Sequence, residues 1–183
     1  MSPRIQPLND AEMNEQQREL TEAFVQNGRL DNVFRTIVVH PELLRRWTPY
    51  VKHILFKSTL SPREREILIL RIGYLCRSEY EWAQHVRGGK SAGLSETDIA
   101  CIMTGRGLSV KEDLLLQATD DLHERSRISD ENWAALARYY DQRQLMDIVF
   151  TVGQYNMISM ALNSFGVEVD DYLAGYPRLP SQA

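Results

Sequence analysis

Three features of the 183-residue sequence predict an all-α fold. Helix-start signatures recur along the chain, alternating β-branched runs closed by Asn-Gly or Asp-Gly turns are missing, and two segments are apolar around most of a helical circumference. A compact helical bundle follows, because helices apolar on more than one face must be covered by other helices.

Residues 1–8 read as an irregular arm. Asn9 or Asp10 is placed to cap a first helix that runs through Phe24 and stops at Gly28. Pro41 suits the first turn of a helix carrying Leu43, Leu44, Trp47, Val51 and Leu55, with Pro49 expected to kink or split it. Four later boundaries carry a Ser followed three residues on by an acid, the pattern in which the Ser oxygen and the acid each satisfy a backbone N–H of the other: Ser61 with Glu64, Ser78 with Glu81, Ser95 with Asp98 and Ser109 with Glu112. Ser129 with Asn132 is a weaker fifth. The helix from about Gln142 to Phe165, stopped by Gly166, holds Leu145, Ile148, Val149, Val152, Met157, Ile158, Met160 and Ala161 and is expected to be buried centrally. A tail from 167, with Pro177, Pro180 and the closing Ser-Gln-Ala, reads as a second arm, and both arms are candidates to wrap a neighbour.

Composition places the chain as a single domain over 1–183: 43% hydrophobic and 25% charged residues suit an ordinary globular protein. A net charge of -4 with scattered Lys and Arg argues against nucleic acid as a partner. The start lacks the apolar core of a signal peptide, and no stretch approaches the roughly 20 apolar residues that span a bilayer, so no membrane partner and a cytoplasmic location are expected. Cys76 and Cys101 form no CxxC and suit reduced thiols.

The chemistry concentrates between Glu66 and His85. Glu66 shares a helical face with Leu70 and Gly73, which points its carboxylate toward apolar packing; an acid near a helix N-terminus beside Arg63 is the plainer explanation. From Ser78 onward, Glu81, Trp82, His85, Gly89 and Ala92 fall on one stripe. A satisfied core histidine is the plain reading of His85, and completion of the Ser78 capping box that of Glu81. His40, His53 and His123 show no ligand spacing, so no metal is expected, and the absence of GxGxxG or any phosphate-cradling loop gives no cofactor.

Residues 61–105, with Glu66 in a buried helix, Ser78 opening the next, His85 on its second turn and Gly93-Leu94-Ser95 leading to a third, resemble the carboxymuconolactone decarboxylase family, which includes the alkylhydroperoxidase D-like proteins. The Glu79–His85 wording, EYEWAQH, and the segments around Tyr155-Asn156-Met157 and Asn163–Gly166 are similar to its decarboxylase-like branch. The resemblance implies a bundle of the alkylhydroperoxidase D-like type and a homo-oligomer, a trimer or a multiple of three. In the peroxidase branch two cysteines occupy the positions that Ser78 and Glu81 hold here. A Ser cannot cycle through sulfenic acid, so the resemblance implies the fold more than peroxidase activity.

The chemistry left is acid and base catalysis without a cofactor: His85 as proton carrier, with Glu66, the family's relay partner, or Glu81 orienting it. The resemblance implies a small-molecule substrate, a carbonyl or lactone acid undergoing decarboxylation, isomerisation or lactone opening. Trp82, Tyr80, Ser78 and Tyr155 are the candidate substrate-binding residues; Asn156, Ser159 and Asn163 either line the pocket or join helices, and Arg71 or Arg77 either anchors a carboxylate or is surface charge. A thiol peroxidase through Cys76 and a non-catalytic oligomeric binding protein are the alternatives.

Overall fold

The computed structural model describes residues 2–179; Pro180 and the closing Ser-Gln-Ala lie outside the described residues. The helices, in order, are α1 (Glu15–Glu22), α2 (Asn32–Ile37), α3 (Pro41–Phe56), α4 (Pro62–Leu75), α5 (Glu79–Ser91), α6 (Glu96–Thr104), α7 (Val110–Arg125), α8 (Asp130–Leu136) and α9 (Gln142–Phe165), followed by a 3-10 turn at Asp171–Leu173. The fold is all-α. Among the described residues the only β pairing is an isolated bridge between Gln26 and Arg29, closed by Asn27 and Gly28, both at positive φ. That turn has hairpin chemistry, but no alternating apolar run flanks it and no strand grows.

α4 is the axis of the bundle. Ile67, Leu68, Ile69, Leu70 and Ile72 are fully buried, and the helix packs most extensively against α5, α7 and α9. Local capping sets its start: the Ser61 hydroxyl accepts from the Glu64 N–H while the Glu64 carboxylate accepts from the Ser61 N–H. The same reciprocal box opens α6 and α7, as the Ser95 and Ser109 signatures predict. It also opens α1 from Asn14 with Gln17 and α9 from Asp141 with Gln144, two boxes built on Asn or Asp rather than Ser.

Several expectations are corrected. Asn9 does not start α1; its side chain accepts from the Ala11 and Glu12 N–H groups and closes an isolated turn. α2 lies where no helix was expected. α3 runs unbroken through Pro49. Ser129 makes no side-chain cap bond, and Asn132 instead donates to the Leu114 carbonyl. The described parts of both arms also contact their own chain, which leaves the expectation that they wrap a neighbour untested: the Arg4 and Ile5 N–H groups donate to the Phe165 carbonyl, and Asp170 accepts from the Asn32 N–H and from the Tyr80 hydroxyl.

α9 buries Leu145, Ile148, Val152, Ile158 and Leu162, but Met157 and Met160, expected inside, are exposed. Among the described residues it is the one helix long and apolar enough to cross a membrane, contrary to the sequence expectation that no stretch approaches that length. Its packing against α3, α4, α5 and α7 accounts for that apolar content as the core helix of a bundle.

Candidate active site

Glu66 reaches α5 from α4 because small residues line the seam between the two helices. A Cβ built on Gly73 would lie 3.5 Å from the Glu81 Cβ, one on Gly89 would lie 3.2 Å from Leu70, and one on Gly88 would lie 3.0 Å from Glu66 Oε2. The Glu66, Leu70, Gly73 face read from the sequence is therefore the face that meets α5. Burial of Glu66, at 4% exposure, shows that the carboxylate does not sit in solvent as a simple helix-dipole acid would.

That oxygen bonds the histidine. His85 Nδ1 lies 2.7 Å from Glu66 Oε2, in the range of a charge-assisted hydrogen bond, and Arg65 Nη2 stands 3.6 Å from the other Glu66 oxygen. The other imidazole nitrogen, Nε2, lies 3.4 Å from Glu81 Oε2. The ring sits between two carboxylates, one on each nitrogen, and meets the Tyr155 ring edge to face at 4.9 Å between centroids. Glu81 is free to do this because it does not close the Ser78 capping box. Ser78 Oγ accepts from the Glu81 backbone N–H, but the Glu81 side chain turns to His85 instead of returning to the cap.

Burial alone would lower the His85 pKa, but the Glu66 carboxylate, with Glu81 behind it, outweighs burial and the net shift is upward. Burial raises Glu81 to about 7, with repulsion from Glu66 adding to it and His85 opposing it. Burial also raises the Tyr155 hydroxyl well above its ordinary value, so it stays a neutral phenol. A carboxyl group and an imidazole that both hold a proton more readily than they would in water share the site.

Glu66, Glu81 and His85 line a cavity of about 240 Å³ whose far wall comes from α2, α3 and α9. Phe24 stacks on Phe34 at 3.9 Å, Trp47 stands 6.5 Å beyond, and Trp47 Nε1 donates to Gln154 Oε1. Lys52 and Arg87 are the cationic lining residues. The stripe that faces this space is Glu81, Gln84, His85 and Gly88.

Of the predicted binding residues, Tyr80 and Tyr155 line the cavity; Tyr80 spends its hydroxyl on Asp170 and receives the Val33 N–H. Trp82 and Ser78 do not line it. Trp82, at 1% exposure, packs into the core beside Tyr74, and Ser78 is a fully buried helix cap. The polar stripe on α9 joins helices: Asn156 accepts from the Cys76 thiol and Asn163 donates to the Cys76 carbonyl. Arg71 is neither substrate anchor nor surface charge. It is buried, forks onto both oxygens of Asp120 and donates to the Ile102 and Met103 carbonyls. Arg77 follows α4 at positive φ and does not line the cavity. Burial pushes the Cys76 thiol up to about 11.

Sequence reasoning missed Phe24, Phe34, Lys52, Gln84, Arg87 and Gly88. For Gln84 and Gly88 the signal was present, since 81, 84, 85 and 88 follow the i, i+3, i+4, i+7 rule as well as the stripe through Trp82 does.

Gly88→Ala is expected to displace the Glu66 carboxylate from Nδ1, because the new methyl would meet Glu66 Oε2 at 3.0 Å and Cδ at 3.3 Å. The check is an NMR titration of the His85 ring. With Glu66 withdrawn, its pKa falls, whereas an unchanged titration would show that the carboxylate accommodates the methyl.

Residues 41–118, from α3 into α7, match the model of the carboxymuconolactone decarboxylase family. No curated protein matches the chain. Its fold is similar to solved structures of two uncharacterized peroxidase-related proteins. One, from Ralstonia eutropha, is described as an alkylhydroperoxidase AhpD core (TM-score 0.82, 16% identity, covering 93% of this chain and 94% of that one). The other comes from a Silicibacter species (TM-score 0.80, 16% identity, covering 96% and 97%). It is also similar to the debrominase Bmp8 in complex with 2,3,4-tribromopyrrole (TM-score 0.70, 15% identity, covering 94% and 95%).

Proposed function

For a chain whose residues 41–118 match the model of the carboxymuconolactone decarboxylase family, we propose a cofactor-free acid/base enzyme acting on a small carbonyl or lactone acid. The observation that carries this reading is the placement of His85 between two carboxylates on opposite nitrogens.

The two carboxylates have different tasks. Glu66, at 2.7 Å, receives the Nδ1 proton, fixes the tautomer and stabilises the imidazolium. Glu81, at 3.4 Å, is beyond a good hydrogen bond, so the Nε2 edge can exchange it for a substrate atom. A proton carried on Glu81 or on Nε2 is the one the site transfers. In decarboxylation, the carbon–carboxylate bond breaks, CO₂ leaves, and the electron pair stays on carbon, delocalised into the neighbouring carbonyl. The Glu81–His85 couple then delivers its proton to that carbon and is recharged from water. In isomerisation the same couple first takes a proton from the carbon next to the carbonyl and returns it elsewhere.

The aromatic wall of Phe24, Phe34 and Trp47 favours a flat substrate, and Lys52 and Arg87 take the place of Arg71 as partners for its carboxylate. The peroxidase alternative has less support. Cys76 lies outside the cavity lining, holds its proton, and gives its S–H to Asn156.

The experiment is mass-spectrometric turnover of a panel of small lactone carboxylates, β-keto acids and hydroperoxides by wild type, Glu81→Gln and Cys76→Ser. Loss of mass 44 by wild type and Cys76→Ser but not by Glu81→Gln supports the reading. Peroxide consumption that disappears in Cys76→Ser would replace it with the thiol mechanism.

A further inference from the structure

The longest helix presents an apolar face to solvent. Between residues 146 and 160 of α9 the exposed positions are Met146, Phe150, Gly153, Met157 and Met160, and none of them is polar. The four side chains are 58%, 50%, 48% and 57% exposed. Their spacing of four, three, four and three is that of a coiled-coil seam. The one acid in this stretch, Asp147, points inward and accepts from the Thr59 N–H and hydroxyl. Polar residues bound the stripe at both ends, Gln142 and Arg143 before it and Asn163 and Ser164 after it.

We propose that a second copy of this chain docks here, α9 against α9 in antiparallel sense, on a two-fold axis passing near Gly153. The pattern on either side of Gly153 favours this occupant. Met146 and Met160 lie seven residues before and after it, and Phe150 and Met157 lie three before and four after. Reversed, the stripe matches itself, which is what an isologous interface demands: Met146 of one copy meets Met160 of the other, and Phe150 meets Met157. A Cβ on Gly153 would find nothing within 4 Å, so the centre of the stripe is open for close approach of the second helix.

The area is adequate. Each half-exposed Met or Phe offers on the order of 100 Å², and the four together supply roughly half of the about 800 Å² per partner of a standard interface, whose surface is about 55–65% apolar. The seam also adjoins the cavity wall through α3, since the Tyr50 hydroxyl donates to the Phe150 carbonyl and the Tyr50 and Phe150 rings meet edge to face. Val51, Lys52 and Leu55 on that same helix line the cavity.

The test uses the full chain. Sedimentation of wild type at tens of micromolar is expected to give a dimer or a multiple of it, and Phe150→Lys with Met157→Lys is expected to halve the mass with an unchanged circular dichroism spectrum. Gly153→Cys, mildly oxidised, is expected to form a disulfide-linked pair on a non-reducing gel that wild type with its two native thiols does not. With helix axes 8–10 Å apart and each Cα about 2.3 Å off its axis, the two Cα atoms fall within bridging distance. A wild-type monomer, a trimer that Gly153→Cys does not link in pairs, or a mass unmoved by the double Lys variant would overturn the proposal. So would a monomer that the stripe carries onto anionic lipid vesicles, which would assign this face to a membrane surface.

Discussion

His85→Ala is expected to lower turnover of whichever panel member the protein accepts by about 10³-fold, within the roughly 10²–10⁴ that a positioned acid/base group contributes, while the far-ultraviolet spectrum is unchanged. The fold tolerates the loss because the ring lines a cavity rather than filling the core. The two neighbours are separable by the same assay. Glu66→Gln keeps a hydrogen-bonding partner on Nδ1 but removes the charge that stabilises the imidazolium, so a smaller loss and a lowered His85 pKa are expected. Glu81→Gln removes a proton-holding group and should abolish the step that needs it. Equal, small losses in all three variants would show that the cluster only shapes the pocket.

The same pair leaves a mark on stability. The folded-state pKa of Glu81 is raised from 4.5 to about 7, so the folded state binds its proton more tightly than the unfolded chain does. Its contribution is fully present below about 4.5 and is lost as pH rises through about 7. His85, also raised, acts with the same sign above its ordinary 6.5. Melting temperatures taken from pH 5 to pH 8 should therefore fall for wild type and fall less for Glu81→Gln. A wild-type melting temperature that climbed over that range would contradict the burial of Glu81.

The second large effect is structural. Arg71→Met is expected to cost about 2–4 kcal/mol, short of the full range for a buried charged pair because Asp120 is 30% exposed and can be hydrated, and to lower Tm by about 8 °C at this chain length. The guanidinium does three things at once. It forks onto Asp120 at 2.6 and 2.9 Å, it caps the Met103 carbonyl at the end of α6, and it adds a second donor to the Ile102 carbonyl, which also accepts from the Gly105 N–H. Its approach depends on Gly105, at φ +80°, where a Cβ would lie 2.7 Å from Arg71 Nη2. Met preserves the aliphatic stem, so the loss reports the lost hydrogen bonds. Arg71→Met with Asp120→Leu should recover only part of it, because the Met103 carbonyl loses its donor. Thermal melts of the single and double variants measure both terms.

Helix ends and central helices were legible in the sequence. A capping box spans three residues, so Ser61, Ser95 and Ser109 announce their helices locally, and Gly166 announces the end of α9. The burial of α4 was legible for a different reason: with Ile67 to Leu70 apolar on consecutive positions, no rotation of the helix leaves a face for water. What remained hidden is rotational phase. On α5 the sequence permits a stripe through Trp82 or one through Gln84 and Gly88, and only packing against α4 selects the second, because Gly73, Gly88 and Gly89 let α4 approach on that side. On α9 the apolar circumference concealed which Met residues face outward.

Glu66 and His85 were visible as candidates from residue type and resemblance, but the assignment of Glu66 to Nδ1 and Glu81 to Nε2 is a fact about two helices crossing. It depends on whether Glu81 turns back to its cap or forward to the ring, a choice of one side-chain rotation that a shared capping motif leaves open. The aromatic wall of the cavity comes from Phe24, Phe34 and Trp47, tens of residues away in sequence, and no local pattern ties them to His85. The sequence by itself determined the all-α class, the helix boundaries set by reciprocal caps and the central helix, because those depend on neighbours within one turn. The partners of each imidazole nitrogen, the burial of Arg71 and the apolar face left on α9 were decided only by the tertiary structure, because each depends on which helix faces which.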